Sequence, residues 1–353
     1  MELPPKLETI EQCPLCGSKE KRFILTNTDR MHGIPGEFGL NQCLKCSVFY
    51  ISPRPTLKDL SSYYPDDYPS HQERQALHGV SILARKLFEY LRNTVLYEIY
   101  HYKNYENKSR IRPSIIAKPI AYCLAPLWER ARFNLPEILP YSENIRALDI
   151  GCGPGYYMLA LQKLGYKTQG IELSENAARI GREKFKLDIS TGTLLEYRFP
   201  DNYFHVIIMN HALEHIHNPV DVLREIKRIL HPDGITIIRM PNMNSLGYKI
   251  FKKDWGPLET PRHLILYSKQ SLLALSGIIG LRLKSFSTKA SKDFILWSKE
   301  YEITSAKGMN TYGRTSNVSL FQKFCVAILT VYEKILVASG KDSGEELVAV
   351  LTK

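Results

Sequence analysis

Ile145-Arg-Ala-Leu-Asp-Ile-Gly-Cys-Gly-Pro-Gly155, a helical stretch, and then Gly165-Tyr-Lys-Thr-Gln-Gly-Ile-Glu172 form the part of the chain whose reading decides the fold. Its first half has the pattern of a buried strand, a glycine turn and the opening of a helix. Gly151 and Gly153 permit a tight turn with the backbone close to a ligand, and Gly155 lets the helix begin close to the strand. Tyr156 stands where a dinucleotide fingerprint needs its third glycine, and no Gly-Lys-Ser/Thr follows as a phosphate-cradling loop requires. Glu172 closes the second strand, where a carboxylate can accept hydrogen bonds from both hydroxyls of a ribose. The combination suits an adenosine without a phosphate chain.

Working outward, strands and helices alternate regularly. A helix is expected from Tyr156 to Leu164, stopping at Gly165, and another from the N-cap Ser174 through Phe185. Strands are expected at Leu187 to Thr191 and Tyr203 to Asn210. Asn218-Pro219 opens a helix whose Val222, Leu223, Ile226, Ile229 and Leu230 share one face. Pro232-Asp-Gly234 hands over to a strand from Ile235 to Met240. Units of this kind mean an α/β fold with a parallel, doubly wound, Rossmann-like sheet. A helix from Ser268, a strand near Leu281 to Phe286, a helix over Val318 to Ala338 and a last strand from Glu346 to Leu351 complete the reading.

Leu148-Asp-Ile-Gly-Cys-Gly-Pro-Gly155 with Glu172 resembles the first motifs of the class I S-adenosylmethionine-dependent methyltransferases. The resemblance implies that Asp149, Gly151, Gly153 and Gly155 line the methionine half of S-adenosylmethionine, that Glu172 holds its ribose, and that the last strand runs antiparallel. An acid after the third strand often contacts the adenine amine in that family. This chain has Thr193 there, with Asp188 as the nearby alternative. Asn210, at the carboxyl end of the fourth strand, is a further candidate for cofactor binding. Asn210-His-Ala-Leu-Glu-His215 resembles the Leu-Glu-His signature of methyltransferases acting on small molecules, lipids and sugars. A hydroxyl acceptor needs a base, and His titrates in the right range. His215 is the first catalytic candidate and His211 the second. The alternative is that Glu214 and His215 cap the next helix or orient the loop. Arg262 and His263 either grip an anionic part of the substrate or hold the Trp255 loop. Asp/Asn-Pro-Pro-aromatic, expected of an exocyclic base-amine enzyme, is absent after the fourth strand, as is the cysteine of a cytosine C5 enzyme.

Cys13-Pro-Leu-Cys16 and Cys43-Leu-Lys-Cys46 are two knuckles offering four soft ligands, the pattern of a zinc ribbon with structural Zn2+. Arg22 to Leu25 and Val48 to Ser52 read as its short strands. Cys123, Cys152 and Cys325 read as ordinary core residues. Ser52-Pro-Arg-Pro55, a helix-like Leu57 to Tyr64 and Tyr64-Pro-Asp-Asp-Tyr68-Pro follow, an order that resembles a bacterial branch of these enzymes linked to surface-glycan and small-molecule synthesis. The domain reading is a ribbon over 1-52, a helical linker or substrate cap over 53-141, and a methyltransferase domain over 142-353 with a helical insert near 290-340. Val80 to Leu91 has helical spacing, and Ile115 to Trp128 is apolar enough to pack in a core or lie at a membrane interface.

The 353 residues, 44% of them hydrophobic and 24% charged, have an ordinary globular composition. The start, Met1 to Lys6, lacks a signal-peptide pattern, and each apolar run is interrupted before the roughly 20 residues of a bilayer span. A cytoplasmic protein is expected, with peripheral contact at the inner membrane face as an open alternative. The formal charge of +11 could attract RNA, anionic headgroups or phosphorylated sugars without choosing among them. The leading expectation is methyl transfer to a hydroxyl of a small-molecule, glycan or lipid-linked acceptor. An RNA methyltransferase and a non-catalytic zinc-ribbon interaction protein on a retained scaffold are the alternatives.

Overall fold

The computed structural model describes residues 5–64, 144–306 and 318–353, together with Tyr90, Thr94, Leu96 and Pro119. The stretches read as Tyr64 to Pro69, Val80 to Leu91 and Ile115 to Trp128, with Cys123, otherwise lie outside the described residues. In chain order the N-terminal strands are β1 (Leu7–Glu8), β2 (Lys21–Asn27), β3 (Phe38–Cys43), β4 (Phe49–Ser52) and β5 (Arg54–Pro55). The helix expected at Leu57 to Tyr64 is only a single 3-10 turn, Leu60–Tyr63. Asp59 before it is bonded by the Thr56 hydroxyl, which closes a tight turn in place of a longer helix.

The second half follows as β6 (Arg146–Ile150), α1 (Tyr156–Lys163), β7 (Lys167–Glu172), α2 (Glu175–Phe185), β8 (Ile189–Thr191), β9 (Phe204–Asn210), α3 (Pro219–Ile229) and β10 (Leu230–Pro241). After it come α4 (Leu246–Phe251), β11 (Ile265–Leu266), α5 (Lys269–Ile279), β12 (Arg282–Lys289), α6 (Lys292–Ala306), α7 (Leu320–Ala338) and β13 (Glu346–Thr352). The seven-stranded sheet has the order β12-β13-β10-β9-β6-β7-β8. β7 lies parallel to both β6 and β8, and β13 pairs antiparallel with β12 from Arg282↔Thr352 to Lys289↔Glu346. This is a Rossmann-like sheet of mixed direction. β10 begins at Leu230, earlier than the strand expected from Ile235, because the chain stays extended through Pro232 and Asp233, which face solvent.

The chain divides into two compact units. One takes the described residues of Met1–Asp66, Met209–Arg228 and Ile238–Lys353, the other those of Asp67–Ile208 and Ile229–Ile237. In the second unit Met158, Ala178, Leu187 and Ile189 form a core directly under the glycine turn. Gly155 adopts φ +86°, and a Cβ there would collide with Leu187 and press on Ile189, so the third glycine is needed for close strand-helix packing. Ser174 caps α2 as expected, accepting from the Ala177 N–H at 3.3 Å.

In the first unit β2, β3 and β4 make a small antiparallel sheet, and β11 completes it, pairing Ile265 with Tyr50 and Leu266 with Phe49. This N-terminal sheet is thus finished by a strand more than two hundred positions downstream. A buried ion pair closes the same arrangement. The Arg262 guanidinium, fully buried, donates to Asp29 at 2.7 Å, to the Tyr63 carbonyl at 3.1 Å and to Glu259 at 3.1 Å. Such a bidentate, fully partnered arginine leaves little for a substrate, so holding the loop is the role that the geometry supports. Among the described residues no helix is long and apolar enough to cross a membrane.

Candidate functional site

The glycine turn is built by continuing the β6–β7 ladder past the end of β6. The N–H groups of Gly151 and Cys152 both donate to the Ile171 carbonyl, at 2.8 and 3.2 Å. Positive φ at Gly151 (+70°) and Gly153 (+55°) then reverses the chain. Glu172 locks the turn from the neighbouring strand, its Oε2 accepting from the Gly153 N–H at 2.7 Å and its Oε1 from the Ser174 N–H at 2.8 Å. A carboxylate has about four lone-pair sites, so each oxygen retains capacity for a further donor such as a ribose hydroxyl.

Asp149 lies at the same turn, buried, and burial together with the charge of Glu172 pushes its carboxyl up to about 8. Among the described residues no basic side chain contributes to that balance. A positive charge arriving beside Asp149 would favour its ionised form. Thr193 caps the 3-10 turn Leu194–Glu196 and donates to Glu196 at 3.0 Å, which leaves its oxygen able to accept. Asp188 precedes β8, at the end opposite to the carboxyl ends of the strands, and accepts from Gln169 at 3.0 Å. Between the two adenine-contact candidates, Thr193 is the one at the ligand-binding end.

In the other unit β9 ends at Asn210, whose buried Oδ1 has no hydrogen-bond partner among the described residues. Past it lies the 3-10 turn Leu213–His215. His211 donates across to Glu346 at 2.8 Å and faces Glu214 at 3.3 Å. Burial by itself would depress His211, but the hydrogen bonds to the two carboxylates outweigh it and raise the imidazole to about 9. It is therefore a charged, already paired group at neutral pH, poorly suited to accept a proton. Glu346 is held down at about 2: burial opposes this, and His211 and Arg239 overcome it.

His215 has the opposite character. Burial, helped by His263, lowers it to about 4, so it rests neutral. Its Nδ1 lies 3.0 Å from the Arg262 carbonyl and 2.7 Å from the Tyr64 hydroxyl. A carbonyl can only accept, so Nδ1 carries the proton and Nε2 keeps the lone pair. His263 is oriented in the same manner, its Nδ1 donating to the Pro257 carbonyl at 2.7 Å, and its ring meets that of His215 edge-on at 4.7 Å. Glu214, fully buried, has one oxygen without a hydrogen-bond partner among the described residues. Ligand atoms of Glu214, His215 and His263 lie within 4.8 Å of one another, a set able to take up a proton or hold a cation. Of this set the sequence marks Glu214 and His263 only as structural or gripping residues, and Tyr64 only as part of a loop. The Leu-Glu-His and Pro-Arg-His stretches were signals for them, but nothing in the spacing says that they meet.

The four knuckle cysteines also converge. Cys13 Sγ and Cys46 Sγ are 3.5 Å apart, Cys16 Sγ and Cys43 Sγ 3.6 Å, and all four sulfurs fall within 4.8 Å of one another. Disulfides would need a separation near 2.05 Å, whereas tetrahedral ligation with metal–sulfur bonds of about 2.3 Å puts sulfurs about 3.8 Å apart. Each knuckle is closed by a backbone bond, Gly17 N–H to Cys13 and Ser47 N–H to Cys43, with positive φ at Gly17 and Ser47. The four sulfurs are thus spaced as a set able to hold a metal ion.

Residues 148–238 match the family described as "Methyltransferase domain". The sterol 4-C-methyltransferase strm-1 of Caenorhabditis elegans is 36% identical over 112 residues, 30% of this chain and 34% of that protein. The demethylmenaquinone methyltransferase of Bacillus subtilis is 26% identical over 142 residues, 38% of this chain and 56% of that protein. The solved structure of a SAM dependent methyltransferase from Archaeoglobus fulgidus has 17% identity and a TM-score of 0.40, covering 67% of this chain and 93% of that one. The chain thus spans between about a third and three fifths of the length of these curated relatives. The segment from Leu148 to Ile238, which holds the glycine turn and the acid ending β7, is the part of the chain that is similar to methyltransferase domains.

Proposed function

We propose that this chain transfers a methyl group from S-adenosylmethionine to a small-molecule acceptor that gives up a proton, most simply a hydroxyl of a sugar or lipid-linked compound. The observation that carries the reading is the pairing, within the matched segment, of a glycine turn with two acids, Asp149 and Glu172, whose balance includes no cation among the described residues. The relatives named for sterol and demethylmenaquinone substrates support a small-molecule acceptor. S-adenosylmethionine, when bound, supplies the methyl group on a cationic sulfur. Asp149 and the glycines would hold the methionine half and Glu172 the ribose. Neutral His215 would take the acceptor's proton at Nε2, and the carboxylates of Glu214 and Glu259 favour the imidazolium that results. Calorimetric titration with S-adenosylmethionine tests the cofactor site. Glu172→Ala should weaken binding by at least about a hundredfold, the loss of two hydrogen bonds to a charged group, and equal affinity would end the assignment.

The four cysteines would hold Zn2+ as a structural ion, since no ligand position is left open. Elemental analysis of the purified chain should give one zinc per chain, and Cys13→Ser with Cys46→Ser should remove it. Unchanged stoichiometry would refute four-cysteine ligation.

A further inference from the structure

The C-terminal helix α7 carries a surface that methyl transfer does not use. Its inner face is taken up by Val326, Thr330 and Glu333, all buried, and Glu333 anchors it by accepting from the Glu345 N–H at 2.7 Å. The orientation of the helix is therefore set, and what it turns outward is apolar. Leu320 is 85% exposed, Phe321 75%, Phe324 62% and Ile335 60%, with Ile328, Val331 and Tyr332 also more than half exposed. These positions recur at helical spacing and make one continuous stripe. An apolar stripe this long on a water-facing helix marks an interaction surface.

Charge says what kind of surface covers it. Among the described residues α7 has one acid, Glu333, and it faces inward, while the exposed Lys323 and Lys334 flank the stripe on one side. At the C-terminal end of the helix, Tyr332 and Leu336 border a cavity of about 570 Å³ that Leu246, Lys249, Lys341 and Ser343 also line. Lys249 and Lys341 are exposed there. The acid beside them, Asp342, is answered by Lys269 at 3.3 Å, and the buried Ser343 hydroxyl has no hydrogen-bond partner among the described residues. An apolar helix face edged by lysines, with a basic, hydroxyl-bearing groove at its end, has the chemistry of a helix lying in a lipid interface, its lysine stems along the acyl boundary and its groove on phosphate headgroups. A second copy of the same chain would bring identical lysines against these, on a protein already at +11.

We propose that α7 and the Lys249–Lys341 groove dock the protein on an anionic lipid surface. The site is independent of the methyl-transfer reading, and its test needs no acceptor. The full chain is mixed with sedimentable vesicles of phosphatidylcholine alone or with phosphatidylglycerol. Binding should appear on the anionic vesicles, weaken steeply with added salt, and be weaker by tenfold or more on phosphatidylcholine alone. Phe321→Ser with Phe324→Ser and Ile328→Ser, all exposed positions that the fold does not need, should lower binding at least tenfold with an unchanged circular-dichroism spectrum. Lys249→Glu with Lys341→Glu should lower it severalfold. The proposal is overturned if the wild type does not sediment with anionic vesicles, or if the serine variant binds them equally. A wild-type dimer that the serine variant splits, with no vesicle binding by either, would assign the face to self-association instead.

Discussion

Two pairs of buried acids in this molecule meet opposite fates. At the glycine turn Asp149 is pushed up to about 8, because burial and Glu172 both disfavour its charge and no cation among the described residues answers them. Past β9, Glu214 is lowered despite burial, and Glu346 is held at about 2, because His211 and Arg239 stand against them. The difference separates acids answered by counter-charges already in the fold from a pair that leaves a place for a charge to arrive. Buried acids alone would not have distinguished the two.

The same substitution, acid to amide, should therefore act with opposite sign in the two places. Glu346→Gln leaves Arg239 and protonated His211 without their shared carboxylate and should cost about 3 kcal/mol in denaturant unfolding at pH 7. Asp149→Asn should instead stabilise the ligand-free protein, on the order of 2 kcal/mol at pH 7. The sign follows from linkage: the folded state keeps a proton that the unfolded chain sheds above 3.8, so stability falls as pH rises from there toward 8. If both variants shift stability the same way, the contrast is broken. A smaller effect sharpens it. His211, raised from 6.5 to about 9, contributes stability that is complete below 6.5 and lost as pH rises through 9, on the order of 1 kcal/mol after solvent screening. Unfolding measured at pH 6 and pH 9.5 should show this loss in the wild type, and His211→Gln should flatten it.

Legibility followed how far along the chain each contact reaches. The glycine turn is written in one contiguous run, because its ladder, its positive φ angles and its helix start are all local, and the knuckles repeat a short pattern twice. The capping of α2 by Ser174 was readable for the same reason. The pairing of Tyr64 with His215 and of His211 with Glu346 was not, since these partners lie 151 and 135 residues apart and only the folded sheet brings them together. Arg262 shows the cost: a Pro-Arg-His stretch fits a substrate clamp as well as a scaffold until Asp29 and Tyr63 are seen to occupy its guanidinium. β11 joined to β4 is a further case, as a two-residue strand carries no pattern of its own.

The central claim, that the Asp149–Glu172 turn is built for a cation it does not itself contain, is tested most directly by proton release. S-adenosylmethionine is titrated into the protein at pH 7 in two buffers of different ionisation enthalpy. Because Asp149 is mostly protonated before binding and must ionise opposite the ligand's positive charge, close to one proton should leave per ligand bound, and Asp149→Asn should abolish the release and weaken binding. Binding with no proton exchange in the wild type, and unchanged affinity in Asp149→Asn, would contradict the account.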